Sequence, residues 1–255
     1  MTLFSANLGF LWTELPLPAA IRAAKRAGFA AVECHFPYDI PPAEVKAALD
    51  ETGLPMIGIN TRLGANGPAD FGVNSLPGRQ DEARALIDEA VAYAAAIGSR
   101  NINAVAGKSG GTAEAEAVLR DNLAHACARA APHGITIVLE PINQRDAPGY
   151  HVSLVEPAIE TIRAVGAENL RLMFDCYHTQ IMQGDLTERL RAALPWIGHV
   201  QFAAVPDRGE PDQGEVHYPN LLASLDAMGW TGPVGAEYRP RATTDAGLGW
   251  MRAYA

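Results

Sequence analysis

A single-domain (β/α)8 TIM barrel spanning residues 1–255 is the fold the sequence predicts, and three observations lead there. The chain has 255 residues, close to the ~250 that eight strand–helix units need. Short apolar runs alternate with longer helical patterns eight times, the order expected of a parallel sheet with helices on its outer side. No low-complexity or linker-like tract divides the chain in two. An open dinucleotide-binding sheet finds no support, because no GxGxxG follows the first apolar run.

The elements follow in order. "LFSANLGF" (3–10) reads as strand one, and a helix over 18–27 stops at Gly28. "AAVECH" (30–35) is strand two; "PPAEVKAALDETG" (41–53) starts on proline and ends on glycine, the asymmetry a helix favours. "PMIGIN" (55–60) is strand three. The loop 61–77 is long for a compact domain, which makes it a candidate lid. A helix over 77–98 ends at Gly98, followed by strand four (101–107), a helix over 112–134 and strand five, "ITIVLE" (135–140). A helix over 153–165, strand six "LRLMFD" (170–175), a helix over 185–194 and strand seven "IGHVQF" (197–202) come next. A helix over 217–228, strand eight "GPVGAEY" (232–238) and a last helix over 242–254 complete the chain.

Composition narrows the function. Apolar residues make up 48% of the chain, enough for a substantial core, and the formal net charge is −9. A phosphate backbone or anionic membrane calls for a basic surface, so neither nucleic acid nor membrane is an expected partner. Cys34, Cys127 and Cys176 show no CxxC spacing, as expected of a reduced protein without a disulfide framework. No basic-then-apolar leader opens the chain and no run of about 18 apolar residues occurs. A cytoplasmic location is therefore expected. "GKSGGT" (107–112) lacks the earlier glycine of a phosphate loop, since residue 102 is Ile, and is not read as one.

The candidate chemistry lies at the ends of the last four strands. They finish at or near Glu140, Asp175, Gln201 and Glu237. In a parallel barrel these ends share the C-terminal face, where barrel active sites lie. Three carboxylates in one cleft repel one another, and a divalent cation is the simplest neutraliser. With the Gln201 amide oxygen the set is all-oxygen, which suits Mg²⁺ or Mn²⁺. His178, Arg208 and Lys108 follow strands six, seven and four. Three such groups around the site suggest an anionic substrate. His199, two residues before Gln201, shares its face and is read as a polar residue deeper in the barrel. Cys176 has no base arranged beside it, so thiol catalysis is not expected.

The segments "FSANLGFLWTE", "FPYD", "PGR", "VLEPIN", "FDCYHTQIMQGDL", "IGHVQFAAVPDRGEP" and "GAEYRP" together resemble the hydroxypyruvate isomerase family of the xylose isomerase-like barrel superfamily, over residues 3–252. The resemblance implies a Mg²⁺-type site and two catalytic glutamates. By motif, Glu140 and Glu237 match the acid–base pair and two of the metal ligands; Asp175 and Gln201 match the others. His178 is then expected to hold a substrate hydroxyl, and Arg208 and Lys108 the carboxylate of a small hydroxy-oxo acid. Ketose 3-epimerases are similar but usually carry histidine where Gln201 stands. The stretch "QFAAVPDR" and the loop "NTRLGANGPADFGVN" depart from many bacterial members. Both border the expected substrate, and close relatives act on four-carbon 2-oxo-tetronates. A DNA-repair enzyme on the same barrel would need a histidine-rich zinc cluster and a basic groove, which this sequence lacks.

Overall fold

The computed structural model describes residues 2–254. Eight parallel strands make up the sheet, in the order β2-β1-β8-β7-β6-β5-β4-β3. They are β1 Phe4–Asn7, β2 Ala31–Glu33, β3 Gly58–Asn60, β4 Asn101–Asn103, β5 Thr136–Leu139, β6 Leu170–Asp175, β7 Ile197–Phe202 and β8 Val234–Ala236. A parallel bridge between Val32 and Met56 closes the circle between β2 and β3. The Val32 N–H donates to the Pro55 carbonyl and the Val32 carbonyl accepts from Ile57.

Helices α1 (Leu17–Arg26), α2 (Pro42–Thr52), α3 (Gln80–Ile97), α4 (Ala113–Ala130) and α5 (Val155–Val165) cover the outside of the first strands. After β6 come α6 (Cys176–Met182) and α7 (Leu186–Ala193), after β7 α8 (Tyr218–Ala227), and at the end α9 (Thr244–Gly247) with a 3-10 segment over Leu248–Tyr254. Gly53, Gly98 and Gly166 end three of these helices in the left-handed conformation that glycine adopts without steric cost. No helix among the described residues is long and apolar enough to cross a membrane.

Three departures from the sequence expectation have local causes. Strand one stops at Asn7 rather than residue 10, because the Asn7 side chain accepts from the Gly9 N–H and its carbonyl from Leu11, turning the chain. Strand four pairs with its neighbours only over 101–103; Ala106 instead bridges to Gly72 of the long loop. Helix α6 was not anticipated. It starts because Asp175, the last residue of β6, caps it by accepting from the Tyr177 N–H at 2.7 Å.

The loop over 61–77 is strapped down along its length. Arg79 pairs with Asp70 at 2.7 Å, and the Lys108 N–H donates to the Asp70 carbonyl. At Gly72 (φ +104°) a Cβ would fall 2.3 Å from the Val105 carbonyl oxygen, so the two backbones approach as only glycine permits. Gly72→Ala should therefore cost about 1–3 kcal/mol from the backbone conformation alone, read by denaturant unfolding, with faster proteolysis inside 61–77. Unchanged stability would contradict this close-approach role.

Candidate active site

The ends of β5, β6 and β8, together with α6, contribute side chains to one buried cluster. Oxygens or ring nitrogens of Glu140, Asp175, His178 and Glu237 all lie within 4.8 Å of one another. Asp175 is the last residue of β6 and pairs in register with Gln201 of β7, which in turn pairs with Gly235 of β8. Glu140 sits one residue beyond β5 and Glu237 one residue beyond β8, where strand pairing no longer constrains them; hydrogen bonds from neighbouring side chains do. Asn103 donates to Glu140 Oε2 at 2.6 Å. Asn7 donates to Glu237 Oε1 at 2.9 Å, and His35 Nε2 lies 3.0 Å from the same oxygen. Arg208 Nη2 donates to Glu237 Oε2 at 2.5 Å and stands 3.6 Å from Asp175 Oδ2.

Glu140, His178 and Glu237 of the cluster line a cavity of about 220 Å³, walled by Phe10, Phe71 and Ile142 and also reached by Arg208 and Arg239. Arg208 has a left-handed backbone (φ +58°), and its guanidinium lies 5.0 Å above the Phe10 ring and 4.8 Å above Tyr177. Arg239 stacks on the same Phe10 at 5.5 Å. Two cations on one aromatic face a small cavity, an arrangement suited to a compact anion.

Burial separates the acids. It pushes Glu140 well above the usual carboxylate range, helped by the negative charges of Glu237 and Asp175. It pushes Asp175 up to about 7 against the pull of Arg208. Burial would raise Glu237 too, but Arg208 and His35 outweigh it and hold that acid at about 2. Burial and then the Arg208 charge push His178 down to about 3, so its ring is neutral. The Asn143 N–H donates to His178 Nδ1, and Asn143 Nδ2 lies 2.7 Å from it. The ring proton therefore sits on Nε2, which faces Asp175 Oδ2 at 3.4 Å and Glu140 Oε1 at 3.7 Å. His178 is thus a donor into the cluster, and a poor cation ligand through that nitrogen.

Asp175 Oδ2 and Gln201 Oε1 are two of the buried atoms that lack a hydrogen-bond partner among the described residues. Orphaned buried acceptors are costly unless something else satisfies them. Glu140, Asp175, Gln201 and Glu237 offer only oxygen, and a hard divalent ion fits that donor set. His199 lies beneath Gln201, buried, with Nε2 3.1 Å from Glu33 Oε2.

The structure does not bring Lys108 into the cavity. Its amine donates to the Pro68 carbonyl at 3.0 Å and lies 5.5 Å from the Phe71 ring, so it clips the 61–77 loop. Strand-end counting located it next to the site, but the loop that folds over it was not visible in that count. Conversely, His35, Asn7, Asn103 and Arg239 belong to the site and were not singled out. The signal available for His35 was Gly9: a Cβ there would lie 2.2 Å from His35 Nδ1. The glycine in "NLGF" leaves room for the ring that reaches Glu237.

The shifted acids set a pH dependence of stability in chelator. Above pH 6.5 unfolded carboxyls have lost their protons and an unfolded histidine holds half of one or less, while folded Asp175 holds one to about 7 and Glu140 higher. The folded state then binds more protons, so stability falls as pH rises. A chelator-treated sample should melt about 2–4 °C lower at pH 8 than at pH 6.5. A melting temperature that rises over this interval would contradict the assignment.

Comparison with known proteins agrees with this architecture. The family model for the xylose isomerase-like TIM barrel matches residues 21–254. A 2-oxo-tetronate isomerase from Cupriavidus necator is 42% identical over 257 aligned positions, covering 100% of this chain and 99% of its own. The hydroxypyruvate isomerase of Escherichia coli K12 is 37% identical, with 100% of both chains covered. Among solved structures, one from Brucella melitensis described as a family 2 AP endonuclease superposes with a TM-score of 0.96 at 37% identity, covering 100% of this chain and 99% of that one. A 3-keto-D-glucoside 4-epimerase from E. coli shares the fold, with a TM-score of 0.81 at 24% identity and 99% of each chain covered. The chain thus belongs to the xylose isomerase-like TIM barrel family, alongside the hydroxypyruvate and 2-oxo-tetronate isomerases.

Proposed function

We propose that this protein is a divalent-metal-dependent isomerase of small 2-oxo acids, interconverting hydroxypyruvate and tartronate semialdehyde by glutamate-mediated proton transfer. The observation that carries this reading is the gathering of Glu140, Asp175 and Glu237 at a cavity edged by two arginines, with Asp175 in register beside Gln201, whose Oε1 has no partner among the described residues. Glu140, Asp175, Gln201 and Glu237 would hold Mg²⁺, with Mn²⁺ as the alternative. When bound, the ion would supply Lewis-acid polarisation of the substrate's carbonyl and hydroxyl oxygens.

The reaction moves hydrogen from C3 to C2. One glutamate of the Glu140/Glu237 pair takes the C3 proton, leaving a cis-enediolate, and a glutamate of the pair returns a proton at C2. A proton passes at the same time from the C3 oxygen to the C2 oxygen. The two acids are pushed in opposite directions by their surroundings, the condition under which a carboxylate pair divides acid and base duties. His178 offers its Nε2–H to a substrate oxygen. Asn7, His35 and Asn103 fix the glutamate oxygens, limiting the misorientation that costs rate. Arg208 and Arg239 take the substrate carboxylate, a role in which Lys108 has no part.

A four-carbon 2-oxo-tetronate is the second candidate substrate: the C. necator relative bearing that name is 42% identical, the same identity as a human protein named putative hydroxypyruvate isomerase. A ketose 3-epimerase reading is opposed by the arginine pair, which a neutral sugar does not need. A nucleic-acid reading is opposed by the net charge of −9 and by a cluster with one histidine among three acids. NMR in D₂O with Mg²⁺ and hydroxypyruvate, 2-oxo-tetronate and a neutral ketose separates these. Deuterium at C2 of the aldehyde product from a 2-oxo acid is the expected result; turnover of the neutral ketose alone would end the proposal.

Glu140→Gln should lower turnover by about 10²–10⁴-fold while circular dichroism stays native, and near-normal turnover would remove Glu140 from the chemistry. Arg239→Ala should raise KM for hydroxypyruvate about 10–100-fold, the range of a lost charge-assisted hydrogen bond, with kcat little changed. An unaltered KM would remove the arginine from carboxylate binding.

A further inference from the structure

Glu33 takes no part in the chemistry above, yet it is a carboxylate only 3% exposed, at the end of β2. Its side chain crosses the barrel interior to β7. Glu33 Oε2 accepts from Gln201 Nε2 at 2.7 Å and lies 3.1 Å from His199 Nε2. Glu33 Oε1 accepts from the Ser5 hydroxyl at 2.8 Å. Space for this crossing exists because residue 235 is glycine: a Cβ there would lie 2.2 Å from Glu33 Oε1, 2.8 Å from Gln201 Cγ and 3.0 Å from His199 Nε2.

We infer that Glu33 is a positioning residue that fixes the Gln201 amide with its oxygen toward the carboxylate cluster, and so sets the affinity of the site for a divalent cation. The argument rests on the two-ended chemistry of an amide. A primary amide presents an acceptor on one side and donors on the other, and a half-turn exchanges them. Only the acceptor end can bind a cation. An ionised carboxylate accepts and does not donate, so the NH₂ end must face Glu33, and Oε1 then faces away from it. That oxygen is buried and has no hydrogen-bond partner among the described residues. This inference depends on the proposed metal site, and its test separates the two.

The test is calorimetric titration of Mn²⁺ into chelator-stripped protein. Glu33→Met removes the acceptor at similar length and should weaken Mn²⁺ binding about 10–100-fold, the usual effect of losing a partner that orients a ligand. Glu33→Gln removes the charge but can keep an acceptor toward Gln201 and His199 while its NH₂ donates to the Ser5 hydroxyl. It should bind within about threefold of the unaltered protein. In a Gln201→Ala background, Glu33→Met should add no further loss. If Glu33→Met does not fold, Glu33→Asp, one methylene shorter, is read in its place and should show an intermediate loss that also vanishes with Gln201→Ala. Equal losses for Glu33→Gln and Glu33→Met would overturn the inference in favour of net charge. A lowered melting temperature with unchanged Mn²⁺ affinity would overturn it in favour of a structural role. If the unaltered protein binds no Mn²⁺, the metal reading itself fails, and the inference with it.

Discussion

Three carboxylates share one buried pocket, and most of the molecule's unusual features answer to that. Burying a single unpaired carboxylate is costly, and like charges within a few ångströms raise the cost further. Arg208 is the protein's own counter-charge, reaching Glu237 and Asp175 together. It lies between the rings of Phe10 and Tyr177 with a backbone conformation uncommon for a residue bearing a side chain. A strained residue at a charged site is a functional investment that packing elsewhere must sustain.

Donors fixed by the scaffold supply the remaining compensation. Asn7 and Asn103, on β1 and β4, each turn an amide toward a glutamate, and His35 adds a ring nitrogen. Asn7 is itself held by the Gly9 N–H, so one tight turn orients one acid. Below this layer Ser5, Glu33, His199 and Gln201 form a second polar group inside the barrel. The barrel interior is therefore polar near its C-terminal end, where a purely structural barrel would be filled by branched apolar side chains. Loop 61–77 closes one side of the cavity through Phe71 and is itself held by Gly72, Asp70 and Lys108.

The period of the sequence made the scaffold and part of the site legible. Eight apolar runs gave a barrel, and the barrel rule carried Glu140, Asp175, Gln201 and Glu237 to one face although 26 to 36 positions separate consecutive members. That inference needs only strand direction. Lys108 was misplaced by the same logic, because a strand end says where a backbone stops and nothing about which loop covers it. Helix α6 was missed because it is short and begins on a side-chain cap, Asp175, that also serves the site. Its polar role in the cluster masked its local one.

What the sequence determined by itself is the order of strands and helices, and with it the gathering of four oxygen-bearing residues, because alternation and chain length leave one economical topology. What only the tertiary structure decided is which way each group points and what charge it carries. The tautomer of His178 follows from Asn143, the amide face of Gln201 from Glu33, and the contrast between Glu140 and Glu237 from the reach of Arg208. Orientation and protonation depend on partners brought in from other strands, at distances of 2.5 to 3.3 Å, and no period along the chain encodes such distances.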